Sequence, residues 1–257
     1  MQNLKIALAQ ADLAWEDKKA NLSKFETMLS GLEGRADLFM LPEMFSTGFT
    51  MNAKPLAETM DGETVAWVVN MAAKMNAVIT GSLIIKEKGK YFNRLLWAEP
   101  DGRLSIYDKR HLFSMADEEK TYAAGSHKLI VELKGWKICP LVCYDLRFPV
   151  WLRNKEKYDL LLFVASWPDR RIQHWLKLLS ARAIENQCFV AGVNRIGADG
   201  NEFTYPGKSI VVTPMGDTIA DLEARETVEI VNLDHEEIIR VRRYMPFLKD
   251  MDKFSIV

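Results

Sequence analysis

The sequence predicts an α/β fold of four layers, in which two mixed sheets pack against each other and helices cover their outer faces. Apolar runs alternate with helical patterns along the whole chain, which favours sheets covered by helices. Residues 160–165 are wholly apolar, as in a strand buried on both faces, whereas Pro100-Asp101-Gly102 is typical of a hairpin turn. No Pro/Gly/Ser-rich linker or internal repeat interrupts this pattern. We therefore expect a single domain over residues 1–257, with a core at 4–235 and a C-terminal extension at 236–257 that is a candidate subunit interface.

The individual elements follow from short apolar runs that are bounded by turn residues, and from apolar residues repeated at helical spacing. The predicted strands are residues 4–10, 37–41, 78–85, 91–98, 104–107, 129–133, 136–142, 160–165, 189–194, 209–213, 218–221 and 228–233. The predicted helices are residues 17–33, 63–76 and 172–187. In the first helix, Leu22, Phe25 and Leu29 are expected to face the core, and Asn21 and Lys24 to face water.

Composition narrows the classes of function. Lysine and arginine number 34 against 35 aspartate and glutamate residues, so the chain has no general attraction for nucleic acid or acidic membranes. The three cysteines, Cys139, Cys143 and Cys188, are irregularly spaced, which argues against a disulfide framework and for a reducing compartment. With four histidines and no CxxC spacing, a metal site has little support. The chain begins almost at once with a strand and has no apolar run of membrane-spanning length, so we expect a cytoplasmic protein without a membrane partner.

Cys143 is the most informative residue of the chain. It follows the apolar strand at 136–142 and precedes Pro149, which suits the first turn of a helix because its missing N–H is no loss there. A thiol in a sharp bend between a strand and a helix is held exposed beside backbone N–H groups. Such a position suits a nucleophile, although a free cysteine is more often a buried apolar residue. We expect Cys139 and Cys188 to be inert core residues of that kind.

Two further strands end in reactive side chains. Glu43 follows the strand at 37–41, and Lys109 follows the strand at 104–107. Sites in open α/β sheets form at the carboxyl ends of strands, so these two residues and Cys143 form a candidate constellation. By itself, Glu43 could be a loop carboxylate and Lys109 an ordinary solvated lysine.

The three groups have complementary chemistry. A nearby ammonium group and N–H groups would lower the pKa of the Cys143 thiol, and Glu43 would accept its proton and later protonate an amine leaving group. Lys109 and the backbone N–H of Tyr144 would stabilise the oxyanion of a tetrahedral intermediate. Attack of the thiol on an amide would give a thioester, which water would hydrolyse.

These segments together resemble the nitrilase superfamily of carbon–nitrogen hydrolases. The resemblance rests on three segments: Leu41-Pro42-Glu43, residues 108–113 and residues 143–149. It implies an α/β/β/α sandwich, a catalytic triad at Glu43, Lys109 and Cys143, a homodimer or larger assembly, and no cofactor. It also implies a second glutamate, for which Glu118 stands at the matching place.

The branch of the superfamily is indicated by Trp167-Pro168 and residues 192–195, which resemble the omega-amidases. This likeness implies hydrolysis of a small linear carboxylated amide such as 2-oxoglutaramate or 2-oxosuccinamate. The alternatives are an N-carbamyl amidohydrolase or nitrilase on the same triad, and a binding protein that has lost the chemistry.

Two pocket residues keep more than one interpretation. Arg147 suits a substrate carboxylate, which a guanidinium binds through two hydrogen bonds, but an ion pair with Asp145 or a neighbour is the interpretation that the sequence favours. Trp167 is equally suited to line the pocket or to cap its strand.

Overall fold

The structure is a computed structural model that describes residues 2–256. Its strands, numbered along the chain, are β1 (Leu4–Gln10), β2 (Leu38–Met40), β3 (Val78–Glu87), β4 (Lys90–Ala98), β5 (Leu104–Asp108), β6 (Val131–Leu133), β7 (Trp136–Val142), β8 (Leu160–Ala165), β9 (Phe189–Asn194), β10 (Ile196–Ala198), β11 (Thr204–Pro206), β12 (Ile210–Val212), β13 (Thr218–Asp221) and β14 (Thr227–Leu233). Its helices are α1 (Lys18–Leu29), α2 (Ala53–Leu56), α3 (Glu63–Met75), α4 (Glu118–Thr121), α5 (Pro149–Leu152), α6 (Ile172–Asn186) and α7 (His235–Tyr244). Within residues 2–256, no helix is long and apolar enough to cross a bilayer.

Two six-stranded mixed sheets form the centre of the molecule. The first has the order β14-β1-β2-β3-β4-β5, and the second has the order β13-β12-β9-β8-β7-β6. In each sheet three central strands are parallel, namely β1-β2-β3 and β7-β8-β9, and antiparallel strands flank them. The carboxyl ends of β2 and β7 therefore lie in the sheet interiors, where both faces of the chain are covered.

The sheets share one apolar core. Leu8 and Trp97 of the first sheet belong to the same buried cluster as Leu141 and Phe163 of the second. A separate cluster joins the other face of the first sheet to α1 and α3, and includes Phe25. Burial of this apolar surface is the main favourable contribution to folding. The predicted fold, two mixed sheets with helices outside, is confirmed.

The first helix departs from its prediction in length and in one residue. It ends at Leu29 rather than at residue 33, and Gly31 follows with a φ of 80°, which a helix does not accommodate. Asn21, expected to face water, is buried. Its side chain accepts the N–H of Ala14 and donates to the carbonyls of Ala14 and Ser46. A polar residue at a solvent-facing position can thus be buried where irregular backbone needs hydrogen-bond partners.

Helix α7 is not among the elements predicted from the sequence. Asp234 caps its first turn by accepting the N–H of Glu236 at 3.1 Å. Ile238 and Val241 are buried, and Ile238 belongs to the core cluster that the two sheets share. The basic run at 240–243 is, by its composition, typical of a solvated or interfacial face. Arg242 instead donates to Asp159 at 2.8 Å, so part of this run ties α7 to the loop before β8.

Glycine at position 192 allows α6 to pack closely on β9. A Cβ atom there would lie 2.5 Å from Cζ2 of Trp175 and 2.8 Å from Cδ1 of Leu179, and both side chains are fully buried. We expect Gly192→Ala to lower the free energy of unfolding by about 1–3 kcal/mol through overpacking, as measured by urea denaturation. Combining it with Trp175→Phe should cost less than the sum of the two single changes, since the smaller ring makes room. Additive losses would show that the two residues do not clash.

Candidate active site

Glu43 lies in a turn that begins where β2 ends. The N–H of Leu41 donates to Thr80, and the N–H groups of Met44 and Phe45 donate to the side chain and carbonyl of Ser82 on β3. Met44 has a φ of 44°, a left-handed conformation that turns the chain sharply after the carboxylate. These contacts fix the backbone on both sides of Glu43, which is fully buried.

Lys109 follows β5 and continues its hairpin with β4. Its N–H donates to the carbonyl of Asn93 at 2.9 Å, and its carbonyl accepts the N–H of Gly125 at 2.9 Å. A Cβ atom at Gly125 would lie 2.1 Å from the carbonyl oxygen of Asp108, so only glycine permits this close approach. The ammonium group is carried into the interior, and the side chain is 1 % exposed.

Cys143 is the first residue of a 3-10 turn, Cys143–Arg147, that follows β7 directly. Its φ is 44°, an uncommon conformation for a residue with a side chain, and such local strain clusters at functional sites. The predicted sharp bend between the strand and the helix, with Pro149 at the first position of α5, is confirmed. The first N–H groups of such a turn, including that of Tyr144, have no acceptor within the turn itself.

Asp145 holds this bend against the neighbouring sheet. Its carboxylate accepts the N–H of Val142 at 3.2 Å, the hydroxyl of Tyr107 at 2.8 Å and the N–H of His111 at 3.0 Å. The His111 ring also lies 2.7 Å from it through Nδ1. Because His111 is two residues beyond Lys109, Asp145 links the loop of the lysine to the bend of the cysteine.

The structure brings the two predicted glutamates and the lysine into one buried cluster. Nζ of Lys109 lies 2.9 Å from Oε1 of Glu43 and 2.9 Å from Oε2 of Glu118. Glu118 also accepts the N–H of Phe113 at 2.6 Å. Both carboxylates are fully buried, and the ammonium group supplies the opposite charge that a buried carboxylate requires.

Two more groups contact the glutamates, and the sequence did not point to either. The backbone N–H of Ser166, just after β8, donates to Oε2 of Glu43 at 2.9 Å. The side chain of Asn93 donates to Oε1 of Glu43 at 2.9 Å and lies 3.3 Å from Oε1 of Glu118. A signal for Asn93 was present, since it and the adjacent Arg94 are polar residues within a mostly apolar strand. The hairpin register pairs Arg94 with Asp108, which places Asn93 opposite Lys109.

The thiol differs from its expected state. Burial raises the pKa of Cys143 well above its ordinary value, and the Glu43 carboxylate raises it further, while Lys109 opposes both. The sequence-based expectation of a thiol with a lowered pKa is wrong, because desolvation outweighs the ammonium group. The resting residue is therefore a neutral thiol, and a neighbouring base must take its proton as the sulfur attacks.

The cluster has opposite effects on its own members. Burial would lower the pKa of Lys109, but Glu118 and Glu43 raise it above its ordinary value, so the ammonium group stays charged. Burial raises the pKa of Glu118, and Lys109 opposes this rise. The site thus holds one fixed positive charge between two buried carboxylates.

A cavity of about 690 Å³ opens beside the cluster, and both Lys109 and Cys143 line it. Cys143 is 8 % exposed, so the sulfur lies at the floor of the cavity. Arg147 and Trp167, the two pocket candidates from the sequence, line it, and so does Tyr144.

Trp167 was expected either to line the pocket or to cap its strand, and its contacts fit both positions. Its ring lines the cavity, and its backbone N–H donates to Asn194 at the end of β9 at 2.7 Å. Arg147 does not form the expected ion pair with Asp145, whose oxygens are occupied by other donors. Its guanidinium lies over the ring of Trp167, 4.9 Å from the centroid, and contacts His174 at 3.1 Å.

Arg171 is a further cation at the cavity that sequence reasoning missed. Burial lowers its pKa, which Cys143 partly opposes, and its guanidinium lies 4.9 Å from the ring centroid of Phe113. It belongs to the 3-10 turn Asp169–Arg171 between β8 and α6. The Asp169-Arg170-Arg171 run resembles any charged turn. Only its position shortly after β8 and Trp167 could have suggested that Arg171 lies at the cavity.

Comparison with known proteins agrees with this geometry. The carbon-nitrogen hydrolase family model matches residues 5–243. The chain is 47% identical to the omega-amidase YafV of Escherichia coli strain K12, over 100% of both chains. It is 34% identical to the 2-oxoglutaramate amidase of Bacillus subtilis strain 168, over 96% of this chain and 97% of that protein.

A solved structure agrees over the same length. XC1258 from Xanthomonas campestris, described as a CN-hydrolase superfamily protein with an arsenic adduct in its active site, is 45% identical. The two chains superpose with a TM-score of 0.98, and 100% of each is covered. The resemblance seen in the sequence is confirmed, and the chain belongs to the carbon-nitrogen hydrolase family.

Proposed function

We propose that the protein hydrolyses the terminal amide of a small linear carboxylated amide, of the 2-oxoglutaramate or 2-oxosuccinamate type, and releases ammonia. The observation that carries this proposal is the Lys109 ammonium between two buried carboxylates, beside a cavity floored by Cys143. The relatives named omega-amidase and 2-oxoglutaramate amidase support the choice of substrate. The reaction needs no metal or organic cofactor, because the site supplies a nucleophile, a base and oxyanion donors.

The first chemical step forms the thioester. Glu43 accepts the proton of the Cys143 thiol while Sγ bonds to the amide carbon, and the carbonyl electrons move to oxygen. The resulting oxyanion accepts hydrogen bonds from Nζ of Lys109 and the N–H of Tyr144. Proton transfer during attack suits a thiol whose pKa is raised, since no free thiolate has to accumulate beside the carboxylate.

The second step releases ammonia and then the acid. When the oxyanion collapses, the carbon–nitrogen bond breaks and the nitrogen takes the proton from Glu43, so ammonia leaves and the thioester remains. Water then gives a proton to Glu43 and its oxygen bonds to the acyl carbon. Collapse of the second intermediate returns that proton to sulfur and frees the carboxylic acid. Glu118 holds the ammonium group of Lys109 in place throughout.

Two arginines are suited to the carboxylate of the substrate. Arg147 and Arg171 line the cavity, and within residues 2–256 neither forms an ion pair with a carboxylate. A guanidinium at a partly buried site binds a carboxylate through strong, directed hydrogen bonds. The arginines therefore favour an anionic amide over a neutral one.

We expect Arg171→Met and Arg147→Met to raise KM for 2-oxoglutaramate by roughly 10- to 100-fold, which corresponds to the loss of one charged hydrogen bond. The same variants should change kcat/KM for a neutral amide, such as butyramide, by less than about threefold. Steady-state ammonia release measures both. Equal losses on the two substrates would show that the arginines shape the cavity but do not recognise the charge.

Intact-mass trapping of the acyl-enzyme tests the proposed function. The protein is quenched in acid during turnover with 2-oxoglutaramate, 2-oxosuccinamate, a neutral amide, an N-carbamyl amino acid and a nitrile. A mass increase equal to the acyl group of the oxo-acid amides, located on Cys143, supports the proposal. An adduct only with the N-carbamyl compound or the nitrile would assign the alternative reactions, and no adduct with any compound would favour a binding protein.

We also propose that the protein is cytoplasmic, as its sparse, irregularly spaced cysteines indicate, and that it forms a homodimer or a larger assembly, as the family resemblance implies. Light scattering coupled to size-exclusion chromatography measures the subunit number. A mass equal to a single chain at micromolar concentration would refute the assembly.

A further inference from the structure

Asn93 lies beside the reacting groups but has no part in the chemical steps. It is fully buried on β4, and its backbone carbonyl accepts the backbone N–H of Lys109. Its Nδ2 lies 2.9 Å from Oε1 of Glu43 and 3.3 Å from Oε1 of Glu118. One neutral side chain thus bridges the same two carboxylates that Lys109 bridges.

The orientation of this amide is determined by its surroundings. Carboxylate oxygens only accept hydrogen bonds, so the NH₂ group must face them and the Oδ1 atom must face away. Within residues 2–256, Oδ1 is buried and has no hydrogen-bond partner. An unpaired buried acceptor is unfavourable, so the amide is held by its contacts with the carboxylates and not by complete hydrogen bonding.

The bridge changes what Lys109 can do. An ammonium group has three N–H donors, and Lys109 contacts one oxygen of Glu43 and both oxygens of Glu118. Since Asn93 donates to one oxygen of each carboxylate, two donors of Lys109 are enough to hold the pair. The third donor, which makes the 3.1 Å contact to Oε1 of Glu118, is then able to turn toward the cavity that Lys109 lines, where the oxyanion develops.

We propose that Asn93 is a positioning residue for the hydrolysis, whose amide keeps Glu43 and Glu118 ionised and apart and leaves one N–H of Lys109 for the substrate. This inference rests on the proposed function for the identity of the substrate. Its effect on the carboxylates can also be measured without any substrate. A hydrogen bond donated to a carboxylate favours the ionised form. Without Asn93, the carboxylates should retain a proton to higher pH and Lys109 should turn toward them.

Asn93→Leu and Asn93→Asp test this role. The leucine keeps the volume and removes the donor, and we expect it to lower kcat by roughly 10- to 100-fold with KM changed less than about threefold. The acid limb of the kcat/KM profile should move up by about one pH unit. Asn93→Asp places a third carboxylate against the pair, so its acid limb should move further and its kcat should fall more.

Asn186 offers a matched control. It is also fully buried, lies at the end of α6, and has an unpaired amide atom, Nδ2. Asn186→Leu should destabilise the fold to a similar degree and leave the pH limb unchanged. If Asn93→Leu lowers stability and activity but keeps the wild-type limb, as the control does, Asn93 is a structural residue only and the proposal is wrong.

A second readout separates this inference from the assignment of the substrate. The rate at which iodoacetamide alkylates Cys143 is followed against pH by peptide mass analysis, which requires no turnover. Its acid limb should move up in Asn93→Leu by about the same one unit. A shift in alkylation without amidase activity in the wild type would refute the substrate and keep the role of Asn93. An unshifted alkylation limb would refute that role, whatever the substrate.

Discussion

Replacing Cys143 by alanine is expected to abolish ammonia release from 2-oxoglutaramate, with kcat reduced by a factor on the order of 10⁴ or more. No other group in the cluster can form the acyl bond, and loss of a nucleophile removes the covalent route entirely. Cys143 lines the cavity and belongs to the buried cluster between the sheets, but the change to alanine removes a single atom from that cluster, so the fold should be retained. The measurement is kcat together with intact mass after an acid quench, in which the acyl adduct should disappear.

The other two cysteines are controls of the same chemistry. Cys139 and Cys188 are fully buried in the strand region of the second sheet, and burial raises the pKa of each thiol. Their alanine variants should lower stability modestly and keep kcat within a few-fold of the wild type. Amidase activity that survives in Cys143→Ala but is lost in Cys139→Ala would identify Cys139 as the nucleophile and contradict the proposed mechanism.

Replacing Lys109 by methionine is expected to have the second-largest effect, because it removes a catalytic donor and a structural charge at once. Loss of one oxyanion donor alone costs roughly 10²- to 10³-fold in kcat. Removing one partner of a buried ion pair also destabilises a protein by about 3–5 kcal/mol. Urea denaturation and kcat measure the two losses separately.

The pH dependence of this variant gives the sign of the effect. With Lys109 gone, Glu43 and Glu118 face each other as two buried acids, and the raised pKa of Glu118 should rise further. A folded state that holds a proton more tightly than the unfolded state loses stability as the pH rises from the pKa of that group in the unfolded state to its higher pKa in the folded state. The destabilisation by Lys109→Met should therefore be smallest at acid pH and grow toward neutral pH. A constant loss from pH 5 to 8 would contradict the charge argument.

A double variant separates the two contributions of Lys109. Adding Glu118→Gln to Lys109→Met removes one of the uncompensated charges, so most of the lost stability should return while kcat stays low. Recovery of activity together with stability would mean that Lys109 serves the fold and not the reaction.

The fold and the bend at Cys143 could be predicted because their signals are local, whereas Glu43 and Lys109 gained their candidate roles from the family resemblance. Strands β7, β8 and β9 have the predicted bounds, since uninterrupted apolar runs between turn residues leave little choice. Cys143 could be found from its place between a strand and Pro149. Glu118 could be found only through the family resemblance, because its own neighbourhood is an ordinary charged loop.

The remaining site residues depend on pairing between distant segments. Asn93 lies opposite Lys109 through the hairpin register, and Asn21 is buried because the loops at Ala14 and Ser46 need partners. Arg147 does not pair with Asp145, because that carboxylate already accepts hydrogen bonds from Tyr107 of β5 and from His111 in the loop after it. Residues 235–244 carry no apolar run strong enough to predict α7, and their burial arises from packing on the second sheet.

The sequence by itself predicted the layered fold and the candidate nucleophile, base and ammonium group. The strands depend on short apolar patterns, and the three candidates depend on their places at strand ends together with the family resemblance. Only the tertiary structure decided the protonation state of the Cys143 thiol, the bridging position of Asn93 and the free arginines of the cavity. These features depend on desolvation and on charges that separate strands bring within a few ångströms of one another. Distances between residues that are far apart in the chain cannot be read from the sequence.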